Sequence, residues 1–456
     1  MKVASVNFNY KYRNINSYSN LTSNISRPLV VPFFVSKLDS DIVSFSGNSN
    51  KLYLNDLREL PDLPCACCGK TMIENSKAND FLNKKIYYPA YISLKRIKTE
   101  GYFNESRASK AMNEAYNYLK KYSSTSKKIT VSDILTKRTV KDARKRLGPE
   151  TSAAFDEIRE LTKLVAHNSK YMVDEISKIK PDFHKVEKRI FKELQRLAHA
   201  YPDETFFEIL NKPDIHKYYL KNLEEKQIAI LDSVAKVAKI APTKIKKEIF
   251  AEINKARAVF KDESPLVLHK RGRVISSFHE NLDKYKENSI VQNVFEMLTN
   301  LPDSKTDVDA FMIKGSQKNS NTIVEILINR QRNTFEHVKP HHREGDNGEN
   351  SIYNYIGLCG KCNGERQRTE YDLFVKSHPE MIANAQIQLN RIIDYINKGL
   401  LTGYDKYPEK IKTALLIESK GKINVDIKRL DLDLAKVNRI LRQQKYIEKK
   451  RAKSIN

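Results

Sequence analysis

The sequence has no tryptophan, only five cysteines, and no run of apolar residues long enough to cross a bilayer. A membrane-spanning helix needs about 18 or more such residues in a row, so none is expected. The first twenty residues, "MKVASVNFNYKYRNINSYSN", hold no continuous apolar segment, which argues against a secretory signal. The few cysteines are also unevenly placed. Cys65, Cys67 and Cys68 form one cluster, and Cys359 and Cys362 form another. Such close pairs are the pattern of a metal site rather than of a disulfide framework, and they point to a reducing, cytoplasmic compartment.

Acidic residues are in short supply as well. Eighty-one Lys and Arg stand against 56 Asp and Glu, a net charge of +25. Such a potential attracts polyanions over many ångströms, and nucleic acid is the expected partner. The alternative is a lysine-rich solvated helical surface.

At 456 residues the chain is long enough for two or three domains. Residues 1–50 are Asn/Ser-rich with few charges and are expected to be poorly ordered. Residues 51–84 carry a first cysteine knuckle, "LPCACCGKTM". Residues 85–320 read as a basic helical region. In "TSAAFDEIRELTKLVA" an apolar stripe runs Phe155, Ile158, Leu161, Val165, and in "VEKRIFKELQRLAH" it runs Val186, Ile190, Leu194, Leu197. Basic clusters, "TKRTVKDARKRLG" and "HKRGRV", interrupt this region and are candidates for phosphate contact. From about residue 322 the stretch "NTIVEILINRQRNTFEHV" is rich in β-branched residues and predicts a strand. Residues 321–378 are read as a small α+β module. After Cys362, "NGERQRTEYDLFVKS" predicts a helix ending before Pro379. Residues 379–456 predict further helices, with Ile382, Leu389, Ile392, Ile393 and Ile396 on one face and a basic tail. The expected class is therefore mainly α with a small α+β module.

Cys65-x-x-Cys68 and Cys359-x-x-Cys362 are each a tight turn that aims two thiolates at one ion. Structural zinc takes four ligands tetrahedrally, often four cysteines. Each pair is half a site, and no third CxxC exists. Joining the two across almost three hundred residues is the simplest reading, with two separate half-sites, or surface cysteines holding no metal, as the alternatives. A shared site would put the four sulfurs within about 4 Å of one another. Cys67 is left as a bystander.

The second cluster lies within "FEHVKPHHREGDNGENSIYNYIGLCGKCNGER", which holds three of the chain's ten histidines in seven residues. The ordered set Glu336-His337, Pro340, Gly345, Asn354, Cys359, Cys362, Asn363, with the upstream CACCGK, resembles the HNH endonuclease family in its four-cysteine zinc branch. The resemblance covers the first knuckle and roughly residues 322–378. Three features depart from the family pattern: Glu336 stands where Asp is commoner, the loop from Pro340 to Asn354 is longer, and about 265 residues separate the first knuckle from the Glu-His pair. That interval is read as a helical insertion whose ends return to the zinc, and it could also serve as a platform for a protein partner.

The resemblance implies a zinc-stapled ββα-metal core inside a helical scaffold, and metal-dependent hydrolysis of phosphodiester bonds, most often in DNA. His337 would be the general base, since an imidazole with a pKa of about 6.5 takes a proton from water at neutral pH. Glu336 and Asn363 would offer oxygen ligands to one divalent cation such as Mg²⁺, Mn²⁺ or Ni²⁺. Asn363 would also open a helix whose free N–H groups favour phosphate. Asn354 would hold the His337 loop, and Arg366 would contact phosphate. His341 and His342 are further candidates for metal or phosphate. A zinc-stabilised nucleic-acid-binding protein without catalysis is the competing expectation.

Overall fold

The computed structural model describes residues 54–124, 129–262, 267–340, 350–367 and 369–428, and singly 430, 442 and 446. The N-terminal segment 1–50, His341, His342 and Gly345, and almost all of the basic tail lie outside them.

Among the described residues the protein is mainly α-helical, with one two-stranded antiparallel sheet. The chain runs through α1 (Asn75–Phe81), a π-turn (Leu82–Ile86), α2 (Ala90–Thr99), α3 (Lys110–Ser123), α4 (Val131–Thr136), α5 (Arg138–Arg146) and α6 (Gly148–Leu164). Next come α7 (Ser169–Ile179), α8 (Lys185–Ala200), α9 (Phe206–Leu210), α10 (Pro213–Ala238), α11 (Thr243–Lys261), α12 (Val267–Leu282) and α13 (Ser289–Thr299). α14 (Val308–Gly315) and α15 (Ser320–Gln331) then lead into β1 (Asn333–His337) and β2 (Tyr355–Cys359). α16 (Gly360–Arg366), α17 (Tyr371–Ser377), α18 (Met381–Asn397) and α19 (Tyr407–Glu418) follow. Among the described residues no helix is long and apolar enough to cross a membrane.

Many helices begin where a short polar side chain can satisfy the first free N–H groups. Thr130 and Asp133 form a capping box on α4, and Thr205 and Glu208 form one on α9. Asn168, Asp307 and Asn319 cap α7, α14 and α15.

Apolar stripes then sort the helices into three cores. The first draws on α2, α3, α4 and α6, including Phe155 and Ile158 of the expected α6 stripe. The second joins α1 and the π-turn to α7, α8, α9, α14, α15 and the first half of α10. Ile190, Leu194 and Leu197 of α8 are fully buried there, while Val186 is only partly covered. The third is built from the second half of α10 with α11, α12 and α13. Each side chain fully removed from water contributes about 1.5–3 kcal/mol.

Two expectations are corrected. The β-branched stretch from residue 322 is helix α15, and the strand begins only at Asn333. Ile323, Val324, Leu327 and Ile328 repeat at helical spacing and bury into the second core, which outweighs their strand propensity. The helix after Cys362 is also interrupted: Gln367, at φ 48° and ψ −115°, separates α16 from α17. Because α1 and α15 pack into the second core, the helical insertion starts directly after Ile73 and ends at Gln331. The "HKRGRV" cluster is partly internal. Lys270 is buried, and Arg271 donates to the Leu301 and Thr299 carbonyls.

His167, between α6 and α7, stacks on Tyr88 (centroids 3.9 Å) and on Tyr171 (4.2 Å). Burial, followed by the nearby Arg96 guanidinium, lowers its pKa to about 4. In the unfolded chain the imidazole titrates near 6.5 and binds protons more readily than in the fold. The stability from keeping this ring neutral is therefore whole above pH 6.5 and is lost as pH falls toward 4. The urea midpoint should drop between pH 7 and pH 5, and His167→Phe should shrink that drop. An equal drop in both proteins would exclude His167 as its source.

Candidate metal centre and ββα site

The first knuckle is a tight hairpin. Pro64 bridges Thr71, the Cys65 N–H donates to the Lys70 carbonyl (2.9 Å), and the Gly69 N–H donates to the Cys65 carbonyl (2.9 Å). Gly69 sits at φ +71°, where a side chain is disfavoured, and an added Cβ would lie 2.8 Å from the Asn384 Oδ1 of α18. The hairpin then pairs with the far end of the insertion. The Ile73 N–H donates to the Gln331 carbonyl (2.8 Å), and the Asn333 N–H donates to the Ile73 carbonyl (2.7 Å). Ala66 donates to the Gly357 carbonyl in β2 (3.0 Å). The insertion thus leaves and re-enters at one place.

That closure assembles the expected four-cysteine set. One sulfur each from Cys65, Cys68, Cys359 and Cys362 lies within 4.8 Å of the other three, and together they could hold a metal ion. Among the described residues no other group of three or more His, Cys, Asp or Glu side chains is so placed. Cys65, Cys359 and Cys362 are buried, and Cys68 is partly exposed. The Cys359 N–H donates to the Cys65 sulfur (3.2 Å), tying the second knuckle to the first. Gly360 is required here, since a Cβ would stand 2.0 Å from the Asn329 carbonyl oxygen. Cys67 is buried but outside the set.

The sulfurs titrate together. Burial opposes ionisation of Cys65, yet hydrogen bonds among the cysteines outweigh it and hold the thiol well below its usual value. Cys362 is pushed far up by Cys359 and then by the other sulfurs. A dication removes this conflict by letting all four ionise.

One contact had no signal in the sequence. His184, the residue before α8, places Nε2 3.1 Å from the Cys68 sulfur and 3.6 Å from that of Cys359. Burial, followed by the Lys361 ammonium, lowers its pKa.

β1 and β2 pair with Glu336 opposite Ile356 and His337 opposite Tyr355. Glu336 Oε1 accepts from the His337 N–H (2.9 Å) and lies 3.6 Å from His337 Nδ1. Nε2 of the same ring is 2.8 Å from Asn350 Oδ1. An amide oxygen only accepts, so this contact calls for a proton on Nε2. Asn350 is the second residue the sequence did not single out; it stands in a stretch of sequence with several similar Asn and Asp residues. The Tyr355 ring packs against the imidazole (4.7 Å), and burial pushes its hydroxyl up to about 12.

Asn354 is positioned as expected of a loop anchor. It is buried, its Oδ1 accepts from the Lys339 N–H (2.9 Å), and its Nδ2 donates to the Lys339 carbonyl (3.1 Å). Its own carbonyl accepts from Val338 (2.7 Å). The two residues after His337 are therefore held as if by a further strand pair.

α16 packs across both strands in two rungs. Asn363 Nδ2 donates to Thr334 Oγ1 (3.1 Å), and three residues on, Arg366 Nη1 lies 3.8 Å from Glu336 Oε1. Thr334 and Glu336 share a strand face, so Asn363 lies on the same side of the sheet as Glu336. Asn363 does not open its helix, as the resemblance implied. α16 begins at Gly360, and the Cys359 sulfur accepts from the Cys362 N–H at its start.

Arg366 is not available to phosphate. Its side chain is fully buried, it donates to the His337 carbonyl (2.5 Å) and the Val338 carbonyl (3.1 Å), and its guanidinium carbon lies 3.9 Å from the Tyr371 ring centroid. It clamps the end of β1 from inside. Charge alone pointed to the surface, but these carbonyls and the ring draw it inward.

Replacing Cys65 by Ser should strip bound metal and lower the melting temperature as much as Cys362→Ser, because metal binding and folding are linked. Cys67→Ser should keep the metal; elemental analysis and thermal unfolding read all three. Arg366→Ala would leave two buried carbonyls unsatisfied and should cost on the order of 3 kcal/mol in denaturant unfolding. Unchanged stability with reduced DNA affinity would restore a phosphate role.

Comparison with protein-family models, curated proteins and solved structures gives no match, so the HNH resemblance rests on the motif residues.

Proposed function

We propose that the protein is a metal-dependent nuclease of the HNH type, hydrolysing phosphodiester bonds, with DNA as the favoured substrate and structural zinc in the four-cysteine centre. The observation that carries this reading is the placement of Glu336-His337 at the end of β1, opposite the start of β2. The four cysteines and α16 brace both strands. The donor set fits zinc: four thiolates at 2.3 Å from one ion have edges of about 3.8 Å, so sub-ångström shifts close the observed cluster.

His337 acts as base through Nδ1, oriented by Asn350 on Nε2, by the Tyr355 ring and by the loop that Asn354 and Arg366 hold. Nδ1 accepts a proton from the attacking water. Glu336 and Asn363 would hold the divalent cation. The Asn363 amide nitrogen is engaged with Thr334, which leaves its carbonyl oxygen as the ligand atom. When bound, the cation would shield the phosphate charge and assist the departing oxygen.

Substrate grip is assigned to the exposed face of α5. Lys137, Arg138, Lys141, Lys145 and Arg146 are exposed there, while Val140 faces the first core and Ala143 is buried. Arg144 is engaged by Asp156. The net charge of +25 makes such a face a natural site for phosphates.

One observation favours the non-catalytic alternative: Arg366 lies close enough to Glu336 to offset part of the charge a cation would need. Plasmid DNA incubated with protein and Mg²⁺, Mn²⁺ or Ni²⁺ separates the two. Nicking or linearisation is expected, and His337→Ala should slow it by about 10²–10⁴-fold. DNA binding by that variant should persist and weaken steeply with salt. Tight binding with no cleavage under any of the three cations would establish the zinc-stapled binding protein instead.

A further inference from the structure

We propose that His184 is the outer-sphere partner of the four-cysteine centre, donating its Nε2–H to the thiolates of Cys68 and Cys359, so that the helical insertion protects the metal site it interrupts. The inference rests on metal binding by the four cysteines and not on nuclease activity.

Two roles are open to an imidazole nitrogen 3.1 Å and 3.6 Å from two sulfurs. It could ligate the ion, or it could hydrogen-bond the ligands. The mutual 4.8 Å grouping contains the four sulfurs and not His184, so the ring borders the Cys68–Cys359 edge rather than joining the polyhedron. Its other nitrogen decides the tautomer. Nδ1 lies 2.8 Å from Gln331 Nε2, an amide nitrogen that can only donate. Nδ1 is therefore the acceptor, and the ring proton sits on Nε2, facing sulfur. A ligating Nε2 would need the proton on Nδ1 and the amide oxygen turned toward it.

The contact is part of a short segment that grips both halves of the centre. Two residues earlier, Asp182 accepts from Lys70 Nζ (2.9 Å) and from the Thr71 N–H (3.1 Å) on the first knuckle. Three residues later, Glu187, fully buried, accepts from Arg330 Nη1 (2.7 Å) beside Gln331. Residues 182–187 thus bind the strand that enters the insertion and the helix end that leaves it.

The chemistry gives this shell a purpose. Four thiolates on one dication carry two net negative charges in a largely buried site, and hydrogen bonds to charged acceptors are among the strong ones. N–H donation withdraws charge from sulfur, which slows attack by protons and electrophiles. Cys68 is the partly exposed member of the set and receives the shorter contact. Outer-shell partners of this kind typically change metal affinity by about 10–100-fold.

The test uses full-length protein loaded with Zn²⁺ or Co²⁺. Zinc transfer to a chromogenic chelator should be about tenfold or more faster in His184→Ala. His184→Gln, which restores an N–H donor, should bring the rate back toward wild type. The visible bands of the Co²⁺ protein should be those of four sulfur ligands in both wild type and His184→Ala. Should His184→Ala fail to fold, Gln331→Leu, which leaves the ring but removes the group that orients it, should itself speed release. Wild-type release rates in folded His184→Ala, or in Gln331→Leu where only that variant folds, would overturn the proposal. So would Co²⁺ bands that lose a nitrogen ligand in His184→Ala. Failure of the wild-type chain to bind either metal would remove the centre itself, a result distinct from cleavage or its absence.

Discussion

The structure depends on closing one long loop. Cys65 and Cys359 are 294 residues apart in sequence, yet the Cys359 N–H donates to the Cys65 sulfur. Were the intervening chain flexible, stretching a spacing of about 20 residues to this length would cost about 2 kcal/mol more in closure entropy. That is small beside the apparent 10–16 kcal/mol that structural zinc can contribute. The cost is smaller still here, because the insertion is folded and presents its two ends side by side. Ile73 sits between Gln331 and Asn333 in a backbone ladder that needs no metal. The polypeptide brings the half-sites together, and an ion held by the four cysteines would then lock them.

The ββα site inherits its precision from this lock. β2 runs directly into Cys359, and α16 starts at the next residue, so the second knuckle sets the angle between strand and helix. From that helix Arg366 reaches inward to the carbonyls of His337 and Val338, and Asn354 holds Lys339 from the other side. α18 adds a third brace. Gln388 bonds both the N–H and the carbonyl of Gly357, and also the Pro64 carbonyl, so one side chain joins the central strand to the first knuckle. A buried arginine or glutamine is costly unless its polar groups are met, and backbone groups meet most of them here. The polar interior of the module is best understood as a frame for one histidine and its loop.

The limits of the sequence reading follow from the range of each signal. The four cysteines were legible because two thiols three residues apart declare their purpose locally, and parsimony supplied the rest. The α6, α8 and α18 stripes were legible because helix periodicity is also local, except that Ile382, at the first turn of α18, is exposed. The helix at 320–331 was misread because strand propensity was weighed without its tertiary partner, the second core. Arg366 was misread for the same reason, since nothing in "NGER" tells whether the guanidinium points to solvent or to two carbonyls. His184 and Gln331 could not be paired from sequence at all. They are 147 residues apart, and nothing in either local stretch refers to the other.

The three cores differ in how closely they are tied to this frame. The second contains Ile73, α8 and α15, the elements that carry the backbone ladder, His184 and Gln331, so a cavity there would be felt at the sulfurs. The third, in α10–α13, and the first, in α2–α6, contain none of these residues. Substitutions in separate sites without shared partners add nearly independently. The third core is therefore the freer to vary while the centre is preserved, whereas the first is tied to α15 through Asn321, which donates to the Lys163 and Val165 carbonyls. Helix α5 joins the first core through Val140 and leaves its basic residues exposed, so their charge lies outside the contacts that hold the cysteine centre together.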